Sequence, residues 1–187
     1  MVVSLSKTGM KGNYMFKQII NLRSRLSDLN ELDVVHDSHL WRARFEWSYP
    51  ASEEKIKTLT LQIPSNLPAD FIIFLSKIAN GAVLYYDKVY GQWGYKIYGT
   101  EDIVEKQEYW HKCIPIDQWS QFIVFAELYG EATIMVFDLD RPSRDKNSFA
   151  VLEASAYDPV DEWRIASKSY HEWLDRLVTA QGDKYWV

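Results

Sequence analysis

The sequence predicts an α+β domain with one mainly antiparallel sheet of about five to six strands and helices packed on one face and at the ends. Three observations predict it. Residues 66–87, NLPADFIIFLSKIANGAVLYYD, read as one helix, one tight stop and one buried strand. Residues 122–138 hold two nearly continuous apolar runs around Tyr129-Gly130-Glu131, a hairpin at the sheet centre. Several further short strands, mostly hairpin-paired, have helices before, between and after them.

The elements follow in order. Residues 1–13 read as a loose arm containing Gly9 and Gly12. Tyr14 to Leu29 carries Met15, Ile19, Leu22, Leu26 and Leu29 along one helical face. Asn30 to Ser38 reads as a polar connection. From Trp41 to Trp47 the pattern alternates: Trp41, Ala43, Phe45 and Trp47 point one way, Arg42, Arg44 and Glu46 the other, as in a half-buried strand. Ser52-Glu53-Glu54 caps a short helix to about Gln62, with Ile56, Leu59 and Ile63 inward, while the Thr-rich Leu59–Ile63 stretch also reads as strand. The central helix starts at Pro68, where a missing N–H costs nothing, and Asp70 favours its dipole. Phe71, Phe74, Leu75 and Ile78 form its apolar face, Asn80-Gly81 stops it, and residues 82–86 return as a strand. DKVYGQWG then loops to a second strand at 95–98. A helix from Thr100 to about Cys113 stops before Pro115. After the hairpin comes a charged loop, then an edge strand at 149–154. Ser169 and Glu172 form a capping box for a last helix that buries Tyr170, Trp173, Leu174, Leu177 and Val178 and ends at Gly182. The organisation is an N-terminal elaboration, 1–50, on an α+β domain, 51–187.

Composition bounds the function. The chain has 187 residues, 47% of them hydrophobic, enough for a sizeable core. Aromatic residues reach 15%, so some rings are expected at the surface, where Trp and Tyr favour partner contacts. The net charge of −5 argues against direct nucleic-acid binding. Residues 1–60 carry nine Lys/Arg against seven Asp/Glu, and the remainder twelve against nineteen, so the body is acidic and suits a basic partner. No stretch has the ~20 apolar residues that cross a bilayer. A single cysteine and no signal-peptide pattern fit a cytoplasmic protein.

Each chemical motif has a plainer reading beside it. Asp138-x-Asp140 offers two carboxylates to a metal, or is a strand end running into a turn. His36, His39, His111 and His171 lack a ligand or catalytic spacing. Cys113 follows His111 by two positions, which do not face each other on a helix. Gly91-Gln-Trp-Gly94 lacks the spacing and the Lys-Ser/Thr end of a phosphate loop. Its Trp93 is either a rigid partner anchor or a lid on the core. Arg42 and Arg44 fall opposite the aromatic residues, so they do not make a single-strand-binding face. Glu101, Asp102, Glu105 and Glu108 share a helical face, either solvated or docked on a basic partner. No catalytic set, metal or cofactor is expected, and the chain reads as non-enzymatic.

The helix Leu67-Pro-x-Asp-Phe71 ending in Asn80-Gly81, the strand 122–125 with its return to Asp138-Leu-Asp140, and the closing Ser169-Tyr-His-Glu-Trp173-Leu174 helix together resemble the SUKH superfamily. That superfamily contains bacterial immunity proteins and fungal cell-wall assembly regulators of the Smi–Knr type. The resemblance covers roughly residues 52–181. One departure is Ala82, where many members have a second glycine. The resemblance implies a SUKH-like sheet with flanking helices. It also implies an immunity protein that binds and neutralises a cognate polymorphic toxin, often a nuclease. The alternative is a regulatory or scaffold binding module. The expected contact surface centres on Tyr90, Trp93 and Tyr95 with Glu101 and Glu105 at its rim. A homodimer is compatible with this reading.

Overall fold

The computed structural model describes residues 15–36, 38–63, 66–144 and 147–187. The loose arm expected at 1–13 lies outside the described residues. Among the described residues, eight strands form one open sheet in the order β1 to β8, every neighbouring pair antiparallel. They are β1 (Glu31–His36), β2 (His39–Trp47), β3 (Ala82–Asp87), β4 (Tyr95–Ile97), β5 (Phe122–Leu128), β6 (Thr133–Pro142), β7 (Phe149–Ser155) and β8 (Arg164–Ser167). The α-helices among the described residues are α1 (Lys17–Arg25), α2 (Glu53–Gln62), α3 (Ala69–Ile73), α4 (Asp102–Cys113) and α5 (Tyr170–Thr179). The class is α+β.

Eight strands replace the expected five to six. β1 occupies what reads as a polar connection, and β8 is four residues long. Both lie at sheet edges, where the burial that marks a strand in sequence is thin. The strand expected at the edge, β7, is instead covered by β8.

The central helix continues from α3 into a π-helical turn, Phe74–Ile78, closed by the Ala79 N–H donating to the Phe74 carbonyl. Phe71 meets Phe125 and Phe137, and Tyr170 of α5 meets Phe71 and Phe74, with ring centroids 4.9–5.7 Å apart. Phe16, just before α1, lies against Phe74 and Tyr170. These helices therefore share one face of the sheet. Phe122 pairs with Asp138, the strand neighbour of Phe137, so alternation puts it on the opposite face. There it packs with Trp119 and Trp163.

β4 stops short, leaving the start of β5 without a strand beside it. Helix α4 fills the gap. The Gln107 amide donates to the Phe122 carbonyl (3.0 Å) and accepts from the Val124 N–H (2.8 Å), doing for β5 what a neighbouring peptide group would. Among the described residues no helix is long and apolar enough to cross a membrane.

Candidate protein interface

The loop at 88–94 is shaped by buried Asp87. Its carboxylate accepts from the Val89 and Tyr90 N–H groups, its N–H donates to the Trp93 carbonyl, and its carbonyl accepts from Gly91. Gly94 closes the loop at φ +122, where a Cβ would sit 2.8 Å from the Tyr85 carbonyl and the Tyr86 Cα, so no other residue fits. The loop is thus rigid, and it turns Tyr90 outward, 69% exposed.

The pairing of Ala43 with Asp87 sets this loop beside the start of β2. A chain of rings joins the two. Trp41 lies edge-on to Tyr90 (6.2 Å) and to His36 (6.3 Å), His36 stacks on Trp93 (4.2 Å, 17°), and Trp93 tilts against Tyr85 (6.0 Å). Tyr85 takes φ +55 opposite an irregularity in β2, which turns its ring inward beneath Trp93. Behind them, Asp183 pairs with His36, and Gln181 Oε1 accepts from the Val35 N–H at 3.0 Å. Gly182 must be glycine, since a Cβ would come within 2.6–2.8 Å of Tyr85 and Trp93. The corner also exposes Val35 (49%), Leu40 (73%) and Val89 (70%). Val35 and Leu40 are cross-strand partners. Around them, Glu31 pairs with Lys88 and Arg42, and Arg42 with Asp33. The Lys88 hydrogen bond holds the Glu31 carboxyl below its ordinary range, and Asp33 raises the Arg42 guanidinium.

The expected surface therefore forms only in part. Tyr90 is presented. Trp93 is the half-buried lid, pinned between His36 and Tyr85. Tyr95 is 1% exposed and edge-on to Trp173, so a partner cannot reach it in this fold; β4 turns its side chain to the helix-covered face. Glu101 and Glu105 are exposed but lie elsewhere. Strand β3 runs toward the loop and β4 runs back, so Asn80, Thr100 and Glu101 meet at the opposite end of the hairpin.

Glu101 is structural there. Its carboxylate pairs with Lys55 of α2 and accepts from the Thr100 hydroxyl (2.8 Å) and the Asn80 amide (2.9 Å), while Asn80 Oδ1 accepts from the Thr100 N–H. These bonds, Lys55 first, hold its pKa at about 2 against an ordinary 4.5. A depressed carboxyl adds stability above pH 4.5 that is lost as pH falls toward 2. Glu101→Gln should flatten the acid limb of stability in that window, read from urea midpoints at successive pH values. An unchanged acid limb would contradict the assignment.

No family model matches the chain, and no curated protein matches it.

Of the other chemical candidates, Asp138, His111 and His171 are engaged, and Cys113 is an exposed thiol at the end of α4. Asp138 accepts from the Asp140 N–H and pairs with Arg141 at 3.0 Å, and burial raises its carboxyl. His111 lies on Trp119, and His171 faces Asp175 at 3.3 Å. Among the described residues no group of three or more His, Cys, Asp or Glu could hold a metal ion. Arg42 and Arg44 point away from the aromatic side of β2, as the alternation predicts. What the sequence does not reveal is the contribution of Val35, His36 and Leu40, because it reads β1 as a connection. The usable signal is Leu32, Val34 and His36 alternating just after Asn30, which itself takes φ +56.

Proposed function

We propose that this protein is a non-catalytic binding module, an immunity protein that occludes a cognate toxin of the nuclease or a related class. The observation that carries this is the rigid corner where Tyr90 stands exposed against Trp41 and the locked His36 and Trp93 rings, with Val89 beside it and Val35 and Leu40 exposed on the other face of the same β1–β2 edge. Ordering exposed aromatic side chains in advance reduces the entropy lost on association. A large aromatic at such a site is the residue type that dominates binding energy. The resemblance of 67–81 and 169–177 to SUKH proteins supports a binding role, and the acidic body, suited to a basic partner, favours immunity within it. A specific complex should bury roughly 1,200–2,000 Å².

Co-expression with a toxin encoded beside this gene, followed by co-purification, tests the function. Tyr90→Ala tests the surface. It should weaken the complex by at least ~2 kcal/mol, about 30-fold in Kd, with the melting temperature unchanged because the ring is exposed. Full affinity in a Leu40→Ala, Tyr90→Ala double variant would remove the surface and leave the function. Failure to co-purify with any adjacent toxin, together with a solitary gene, would favour the regulatory alternative.

A further inference from the structure

A second concave site lies away from the aromatic corner, between the end of α2, the outer side of α4 and the start of β5. Among the described residues it is walled by Ile63, Val104, Trp119, Phe122 and Ile123, with Glu108 on its rim. We infer that this pocket receives one apolar side chain from a basic segment of a partner, a contact independent of the Tyr90 corner.

Size argues for a side chain. The cavity is about 180 Å³. Small-molecule sites run from about 300 Å³ upward. At ~30 Å³ of liquid per water this cavity equals about six waters, the scale of one aromatic or branched aliphatic group. Its buried and half-buried wall is apolar apart from Gln107 and the Trp119 indole N–H, which are already engaged, and exposed Gln62, Glu108, His111 and Ser120 form its rim. Gln107 is spent on the β5 backbone and on His111 Nε2 at 2.8 Å, while the Trp119 indole N–H donates to the Ile114 carbonyl at 2.8 Å. A polar group seated inside would find little to bond, so only the rim offers polar contacts.

Charge argues for a basic segment. Glu105 and Glu108 are exposed, three residues apart on α4, and neither forms an ion pair among the described residues. Lys106 on the same helix is turned to Glu127 at 3.8 Å. Lys112 is the opposing exposed charge, one turn on. The His111 ring covers Trp119 at 4.5 Å, and burial lowers its pKa, so it adds no positive charge at neutral pH.

The test titrates the ¹⁵N-labelled protein with three blocked tripeptides, Ac-Lys-Phe-Lys-amide, Ac-Glu-Phe-Glu-amide and Ac-Lys-Ala-Lys-amide. The Lys-Phe-Lys peptide should shift the Trp119 indole N–H saturably, roughly in the millimolar range. The other two should bind at least about 5-fold more weakly at low salt, and about 0.5 M NaCl should close the Lys–Glu gap. Glu105→Gln with Glu108→Gln should abolish the charge preference and keep the phenylalanine preference. Val104→Phe, which narrows the cavity, should do the reverse. Three results overturn the inference: no saturable Trp119 shift, equal binding of the alanine peptide, or equal binding of the glutamate peptide at low salt. The first two remove the pocket, the third the basic segment.

Discussion

Trp173→Ala should lower the free energy of unfolding by about 3–5 kcal/mol, the range for truncating a buried aromatic. Trp173 is fully buried near the middle of α5. Its ring meets Tyr95 at 6.0 Å, Phe125 at 5.2 Å and Tyr170 at 5.7 Å, so it joins the helix to β4 and β5 at once. Those neighbours are rings in a packed cluster and cannot easily collapse into the space, which keeps the cavity cost high. Trp173→Phe is the informative companion. Among the described residues the buried Trp173 Nε1 has no hydrogen-bond partner, so phenylalanine gives up volume and no bond. It should cost less than about half of the alanine change. Urea unfolding followed by circular dichroism measures both. An alanine variant within ~1 kcal/mol of the parent would mean that the ring is not central to the core.

Asp70→Ala should cost about 3 kcal/mol, from two charge-assisted bonds at roughly 1.5 kcal/mol or more each. Asp70 is buried. Its Oδ1 accepts from the Phe71 N–H at 3.1 Å, and its Oδ2 from the His171 N–H at 3.0 Å. One carboxylate thus serves the first turns of α3 and α5, which are a hundred residues apart in the chain, and its charge suits both dipoles. Ser169, the N-cap of α5, serves the Glu172 N–H instead. Ser169→Ala should therefore cost only the ~1 kcal/mol of an ordinary cap. Equal losses for the two variants would show that Asp70 acts on one helix alone.

The sequence alone makes some of this readable and hides the rest for physical reasons. Serine caps at 52 and 169 announce α2 and α5, because the local side chain–backbone bond is written in adjacent residues. Strand β5 is visible from Phe122 to Leu128 because both of its faces are covered, which leaves an unbroken apolar run. Asp70 is expected to favour its own helix; that it also closes a distant one depends on tertiary placement. Strand β8, Arg-Ile-Ala-Ser, is too short to show a period. The fate of the tyrosines follows the same logic. Tyr90 and Tyr95 are five residues apart and alike in type, yet one stands on a loop tip and the other faces Trp173. Only the start of β4 at Tyr95 decides which ring a partner can touch. Trp93 is legible as either anchor or lid, and His36, from a strand the pattern does not show, makes it the lid.

The strand order follows the chain from first to last, with no crossover. Each strand therefore pairs with the one made just before it, across short loops at five of the seven ladders and across helix-bearing segments (48–81 and 98–121) at the other two, so the sheet can be built in order as the polypeptide emerges from the ribosome. The covering of that sheet obeys a different clock. Phe71, Phe125 and Phe137 find their neighbour Tyr170 only when α5 has been synthesised. Until then the growing molecule carries a paired sheet with a bare aromatic flank, and the interval before residues 170–179 arrive is when chaperone protection would matter most.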